Sequence, residues 1–210
     1  VYAQAGFPVI ATDVLAPARD SAKARLNEAL QSRVAAGKLT EVERDATLSR
    51  LAITEDFAHF AAARMIIEAI VEKIDAKRDL FARLAPLVAT DTILATNTSS
   101  LPIRKIAAGV THPERLLALH FFNPPPAMKL VELAPHQGTD HDAVTRARAW
   151  TEMAGKTVIL CPDRPGFIVN RCARPYYGEA LALLTEGRAA DEIDAAMVKA
   201  GYTLGPFALI

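Results

Sequence analysis

HFFNPPPAMKLVEL, residues 120–133, places a histidine and a glutamate twelve positions apart, on either side of three consecutive prolines. The segments RLLALHFF (115–122) and KLVEL (129–133) are apolar runs typical of buried strands. Prolines cannot continue a helix and favour a turn. We therefore predict that the second strand returns beside the first and brings Glu132 within reach of His120.

Strands and helices alternate on both sides of this stretch. Further strands are predicted at 7–13, 64–71, 92–97 and 156–161, and helices at 18–36, 41–50, 75–88, 103–109 and 142–155. Thr40 and Glu43 have the spacing of a capping box, and Asp75 is the expected N-cap of its helix. The alternation is the signature of a parallel, doubly wound α/β sheet, so the fold class expected is α/β and Rossmann-like.

The alternation ends after RPGF (164–167), where two predicted helices follow with no strand between them. We therefore expect a nucleotide-binding type of domain over residues 1–163 and a helical domain over 164–210. The first residues, VYAQAG, resemble the last turn of a helix closed by Gly6. We expect upstream residues, and hence an incomplete first domain.

The charge balance and the cysteine content indicate which kinds of binding partner and which redox environment to expect. The chain has 210 residues, with 24 Lys plus Arg and 24 Asp plus Glu, so its formal net charge is zero. This balance argues against binding to nucleic acid or to a membrane surface, which usually requires a basic patch. The two cysteines, Cys161 and Cys172, form no CxxC pair and are expected to be reduced thiols in a cytoplasmic protein. No metal-binding pattern is predicted.

Polar side chains follow several predicted strands, at the edge where parallel sheets bind ligands. Asp13 ends the first strand, where a dinucleotide-binding fold has an acid for the adenosine ribose, although an ordinary loop-forming Asp fits equally well. NTSS (97–100) follows another strand, yet such residues also favour turns without any function. Glu72 ends the strand 64–71, with Lys77 five residues later. A solvated strand end followed by a charged helix face explains that pair as well.

His120 and Glu132 give the clearest chemical hypothesis. A carboxylate bonded to one imidazole nitrogen sets the tautomer and raises the basicity of the other nitrogen, which is the layout of a general base. Asn170 lies just after the expected domain boundary, where ligand clefts are common, but it is also an ordinary residue for a helix start.

Five motifs in this chain occur in the same order and spacing as in the L-3-hydroxyacyl-CoA dehydrogenases. They are EAIVE, NTSSL, HFFNPPPAMKLVE, PGFIVNR and GYTLGPF. The resemblance covers essentially the whole chain. NRCARPYYGEALALLTEG is similar to the bacterial branch that oxidises 3-hydroxyadipyl-CoA in phenylacetate breakdown.

The resemblance implies a role for each candidate residue. His120 resembles the catalytic base and Glu132 its partner, and Ser99 and Asn170 resemble the side chains that hold the substrate oxygen. The residues that resemble cofactor contacts are Asp13, Glu72, Lys77, Ser99 and Asn123. The family also implies NAD as cofactor, an acyl-CoA substrate of β-oxidation or phenylacetate catabolism, and a homodimer formed through the helical domain.

Some features depart from the family pattern. The family's first strand and its GxGxxG turn would precede Val1, the helical domain would continue past Ile210, and Ala208 replaces the usual Glu after GPF. We therefore expect residues 1–210 alone to bind NAD weakly or not at all. Two alternatives stay open: a related dehydrogenase acting on a hydroxy acid without CoA, and a non-catalytic binding or structural remnant.

Overall fold

The computed structural model describes residues 1–209. The chain divides into two compact units, the first covering Val1–Asp163 and the second beginning at Arg164. No helix in the described residues combines the length and the apolar character needed to cross a membrane.

The first unit contains seven short strands. They are β1 (Val9–Ala11), β2 (Leu51–Ile53), β3 (Met65–Glu68), β4 (Ile93–Thr96), β5 (Leu116–Phe121), β6 (Leu130–Pro135) and β7 (Thr157–Leu160). β1 and β2 pair with each other, and the other five form one sheet in the order β3-β4-β5-β6-β7. β5 and β6 pair antiparallel, as the proline turn predicts, and the remaining pairs are parallel. The sheet is therefore mixed rather than wholly parallel.

Helices connect these strands and make up the second unit. They are α1 (Ala16–Ala35), α2 (Glu41–Ser49), α3 (Ile74–Leu84), α4 (Ile103–Ala107) and α5 (His141–Met153) in the first unit, and α6 (Val169–Thr185) and α7 (Ala190–Lys199) in the second. Short 3-10 helices lie at Phe57–Ala62, Ala85–Leu87, Pro113–Arg115 and Phe207–Leu209.

Local predictions of helix caps had mixed outcomes. The capping box is confirmed, because Thr40 Oγ1 accepts the N–H of Glu43 while the Glu43 carboxylate accepts the N–H of Thr40. The N-cap assignment of Asp75 is wrong, since α3 begins at Ile74 and its cap is Lys73. Asp75 lies instead in the first turn, where a negative charge favours the helix dipole.

The core of the first unit lies around the central strands. The first four residues of β5, Leu116 to Leu119, are fully buried, as are Leu94 and Ala95 of β4. Ala143 and Ala147 of α5 belong to the same apolar cluster as Leu117 and Leu133. A continuous apolar run in a strand indicates cover on both faces of the sheet, and this explains why β5 does not alternate.

The GYTLGPF motif has a structural explanation within the second unit. The carboxylate of Asp194 accepts the N–H groups of Phe207 and Ala208, both at 2.9 Å. A Cβ atom added to Gly205 would lie 2.2 Å from Cγ of Asp194, so only glycine fits there. Tyr176 stacks on Tyr202 and donates its hydroxyl to the carbonyl of Leu204. These contacts close the segment that follows α7 against α6 and α7.

Candidate active site

His120 and Glu132 form a hydrogen-bonded pair, as the sequence predicts. The two residues are directly opposite each other in the β5–β6 ladder, and Nδ1 of His120 lies 2.7 Å from Oε2 of Glu132. Both side chains are buried, with exposed fractions of 9% and 0%. Because an ionised carboxylate only accepts hydrogen bonds, Nδ1 carries the proton and Nε2 is the basic nitrogen of the ring. The pair therefore has the geometry of a general base with its orienting acid.

The surroundings of this pair are largely apolar. The ring of Phe122 lies 4.6 Å from the imidazole, measured between centroids. On the other side, the backbone N–H of Cys161 donates to the carbonyl of Leu133, and Cys161 is 3% exposed. Burial, followed by the negative charge of Glu132, raises the pKa of Cys161 to about 12. A dry environment of this kind strengthens the His120–Glu132 hydrogen bond.

A second group of contacts holds the NTSS loop at the end of β4. One oxygen of Glu72 accepts hydrogen bonds from Thr98 Oγ1, from the N–H of Ser99 at 3.2 Å and from Ser100 Oγ at 3.1 Å. Burial by itself would raise the pKa of Glu72, but the hydrogen bond from Thr98, the charge of Lys77 and the hydrogen bond from Ser100 together lower it. Glu72 is therefore held ionised, and it positions the loop that carries Ser99.

Lys77 is buried and forms an ion pair with Glu72. Its Nζ lies 2.5 Å from Oε1 of Glu68, 3.3 Å from Oε2 of Glu72 and 3.4 Å from the carbonyl oxygen of Ile70. The Lys77 side chain is 1% exposed, and its ammonium group has three N–H donors and three protein oxygens within reach as acceptors. Lys77 thus acts on the site through Glu72 in this structure, and its direct contact with a cofactor stays a prediction.

The loop after β4 is also held at its far end. Both oxygens of Asp163 accept backbone N–H groups at the start of α4, from Ile103 at 2.7 Å and from Arg104 at 3.0 Å. Asn97, the first residue of the loop, accepts the N–H of Phe121 on its side-chain oxygen at 2.8 Å. The sequence did not predict either contact, because the partners are 24 positions apart for Asn97 and 60 positions apart for Asp163, and no sequence pattern connects residues that distant.

Asp13 lies at a separate polar position beyond β1. Its carboxylate accepts the N–H of Leu15 at 2.9 Å, and Arg19 donates to its carbonyl oxygen at 2.7 Å. The adjacent pocket has a volume of about 130 Å³, and its wall combines apolar residues (Ala18, Ala22 and Ile53) with Arg19 and Arg25. A carboxylate in a small pocket with both apolar and charged walls suits a ribose diol with a flat base.

The remaining candidates lie outside these groups. Asn123 is exposed in the segment between β5 and β6, and its peptide bond to Pro124 is cis. Asn170 is the second residue of α6, in the second unit. Within residues 1–209 no group of three His, Cys, Asp or Glu side chains could hold a metal ion.

Family models match almost all of the chain. Residues 1–164 match the NAD binding domain of 3-hydroxyacyl-CoA dehydrogenase, and residues 166–210 match the C-terminal domain. The chain belongs to the 3-hydroxyacyl-CoA dehydrogenase family. The NAD-binding fold of the first unit and the helical continuation expected from the sequence are confirmed at the level of this family.

Individual relatives agree with the family. The chain is 44% identical to 3-hydroxyadipyl-CoA dehydrogenase from Escherichia coli K12 over 211 aligned positions, which are 100% of this chain and 44% of that protein. The crystal structure of M. tuberculosis FadB2 matches with a TM-score of 0.95 at 38% identity, covering 99% of this chain and 74% of that one. The crystal structure of 3-hydroxybutyryl-CoA dehydrogenase from E. coli K12 matches with a TM-score of 0.94 at 44% identity, covering 99% and 44%. The chain thus spans about half the length of the curated relative it matches.

The residues present fit the two ends of the dinucleotide that this family binds. The carboxylate of Asp13 can accept hydrogen bonds from the two hydroxyls of the adenosine ribose, and Ala18, Ala22 and Ile53 in the wall of the same pocket offer apolar contacts to the adenine ring. At the other end, Glu72 and the NTSS loop present oxygen atoms at the same sheet edge as His120. That edge is shared because β3, β4 and β5 run parallel, so their carboxyl ends lie together.

Proposed function

We propose that the full-length protein oxidises the C3 hydroxyl of an L-3-hydroxyacyl-CoA to a ketone, with NAD as its cofactor. The observation that carries the proposal is the buried hydrogen bond of 2.7 Å between His120 and Glu132. Family membership supports the reaction class. The names of the relatives, 3-hydroxyadipyl-CoA and 3-hydroxybutyryl-CoA dehydrogenase, favour a CoA ester over a free hydroxy acid as the substrate.

His120 is the proposed general base. Nε2 takes the hydroxyl proton, and the Nδ1–H···Oε2 hydrogen bond to Glu132 then stabilises the imidazolium that forms. NAD, when bound, supplies the acceptor for the hydride that leaves C3. Phe122 packs against the imidazole and limits the access of water to the ring on that side.

Ser99 and Asn170 are the proposed contacts of the substrate oxygen. For Ser99 the support is positional, since it follows β4 on the loop that Glu72 holds, at the same sheet edge as His120. For Asn170 the support is the family motif PGFIVNR. Hydrogen bonds from such side chains orient the hydroxyl for proton transfer and hold the oxygen after the proton has left.

The remaining residues are proposed to bind the cofactor. Asp13 would bond the adenosine ribose, and its negative charge would oppose the 2′-phosphate of NADP, whereas Arg19 and Arg25 in the same pocket would attract it. Glu72 and Asn123 are proposed contacts toward the nicotinamide end, and Lys77 is proposed to contribute by holding Glu72. We also propose a homodimer formed through the helical unit and a cytoplasmic location, the first from the family resemblance and the second from the two free cysteines.

The test is a spectrophotometric assay of NADH formation by the full-length protein with 3-hydroxybutyryl-CoA, 3-hydroxyadipyl-CoA and their free acids. We expect turnover of at least one CoA ester, and His120→Ala should lower kcat by about 10²–10⁴-fold, as is typical for loss of a general base. His141→Ala is the matched control, because His141 is exposed at the start of α5.

Two outcomes would reject the proposal. Oxidation of a free hydroxy acid with no activity on any CoA ester would favour the related dehydrogenases. Tight NAD binding without turnover of any substrate would favour a non-catalytic role. Near-normal turnover by His120→Ala would remove His120 as the base even if the substrate class is right.

A further inference from the structure

The side chain of Asn97 continues the β4–β5 contact beyond the end of the ladder. The regular pairing of these two strands ends with Thr96 opposite Ala118. Beyond it, Oδ1 of Asn97 accepts the backbone N–H of Phe121 at 2.8 Å. An amide side chain thus occupies the place where a backbone carbonyl would accept if β4 were longer.

The same residue is tied to the neighbouring strand on its other side. The backbone N–H of Asn97 donates to the carbonyl oxygen of Glu68, the last residue of β3, at 2.8 Å. Asn97 therefore joins the carboxyl ends of β3, β4 and β5. This is the edge of the sheet at which the site residues lie.

The two contacts of Asn97 connect the two groups of the proposed site. On one side, Phe121 directly follows His120 in β5. On the other, Ser99 is two residues after Asn97, on the loop whose N–H and hydroxyl groups Glu72 accepts. The hydrogen bond from Phe121 to Asn97 thus connects the strand that carries the proposed base, His120, to the loop that carries Ser99.

We infer that Asn97 is a positioning residue for the reaction, which sets the separation between His120 and Ser99 through the Phe121 N–H···Oδ1 hydrogen bond. The inference rests on the proposed function. The reaction rate depends steeply on the distance between a base and the group that holds its substrate, since a misplacement of about 1 Å can lower the rate by about 10²-fold. Glutamine would place its amide one methylene further away, and leucine would fill a similar volume without an acceptor.

Two substitutions separate positioning from a general structural role. Asn97→Leu removes the acceptor, whereas Asn97→Asp keeps an oxygen at the same distance along the side chain. In the full-length protein we expect Asn97→Leu to lower kcat by about 10²-fold while the KM values for NAD and the CoA ester change by no more than about twofold, because ground-state binding is unaffected. Asn97→Asp should recover most of the lost kcat. Asn27→Leu, on the exposed side of α1, is the matched control.

Amide hydrogen exchange gives a readout that does not depend on activity. The N–H of Phe121 should exchange faster in Asn97→Leu than in the wild type and be protected again in Asn97→Asp, while the N–H groups of Leu117 and Leu119 stay protected in all three.

The inference is overturned if Asn97→Leu keeps wild-type kcat, if Asn97→Asp is as slow as Asn97→Leu, or if protection at Phe121 is unchanged. Failure of the proposed function is a different result: the wild type then turns over no 3-hydroxyacyl-CoA at all, whatever the exchange at Phe121.

Discussion

Lys77 and Glu68 form an ion pair inside the first unit, with Nζ 2.5 Å from Oε1 and exposed side-chain fractions of 1% and 0%. Glu68 also accepts the N–H of Ile70 on the same oxygen. The ammonium of this pair also contacts Glu72, with Nζ 3.3 Å from Oε2, so the buried ion pair helps to hold the residue that binds the NTSS loop. The buried carboxylate at the end of the short strand β3 is explained by this partner.

We predict that Lys77→Met destabilises the protein by about 3–5 kcal/mol, because it leaves the Glu68 carboxylate buried without its counter-charge. The measurement is the free energy of unfolding in denaturant. Lys73→Met is the control, since Lys73 is exposed four residues earlier. If Lys77→Met unfolds with wild-type stability, Glu68 must be protonated or hydrated in the folded protein, and the ion pair does not stabilise this loop.

Glu72 should make stability depend on pH. Its pKa in the folded protein is lowered below the ordinary 4.5, since hydrogen bonds from Thr98 and Ser100 and the charge of Lys77 outweigh the effect of burial. A lowered carboxyl pKa contributes stability that is present above the ordinary pKa and is lost as pH falls through the folded one.

Glu72→Gln should therefore unfold more easily than the wild type at neutral pH, and the difference should shrink as the pH falls below 4.5. Denaturant unfolding at several pH values measures this difference. Glu28→Gln, on the exposed side of α1, is the control. A gap for Glu72→Gln that widens in acid would contradict the assigned direction of the pKa shift.

Cys161 should be unreactive in the native protein. Burial and the charge of Glu132 raise the pKa of its thiol to about 12, so almost no thiolate exists near neutral pH. Treatment with iodoacetamide followed by peptide mass spectrometry should show alkylation at the exposed Cys172 and none at Cys161 until the protein is unfolded. Equal native labelling at both positions would show that the β7 side of the His120–Glu132 pair is open to solvent.

Asp163 should stabilise the start of α4. Its carboxylate accepts hydrogen bonds from the N–H groups of Ile103 and Arg104. An N-cap side chain makes the same kind of contact, but Asp163 is distant in the sequence from the helix it caps. We expect Asp163→Ala to cost about 0.5–2 kcal/mol in the free energy of unfolding, and Asp163→Asn to cost less because one acceptor oxygen is kept. Asp20→Ala, an exposed position on α1, is the control. Equal losses for the Ala and Asn variants would point to the charge rather than to the cap.

Features that depend on neighbours along the chain could be predicted from the sequence. The Thr40–Glu43 capping box spans three residues, and the proline turn returns β6 onto β5 so that residues 120 and 132 are opposite each other. Strands β3, β4 and β7 are apolar runs whose ends were predicted to within about three residues. β2 was missed, because three residues directly after a helix carry too little periodicity to be recognised.

Tertiary structure decided which of the polar residues share one site and what each of them contacts. Glu72 meets Ser100 across 28 positions, Asn97 meets Phe121 across 24, and Asp163 meets Ile103 across 60. The first two contacts exist because β3, β4 and β5 run parallel and bring their carboxyl ends to one edge, whatever their separation in the chain. The third contact joins the segment after β7, which runs antiparallel to β5, to the start of α4. The burial of Lys77 has the same origin: on α3 it resembles a charged surface residue, and only the packing of the helix against the end of β3 turns its ammonium toward Glu68 and away from water.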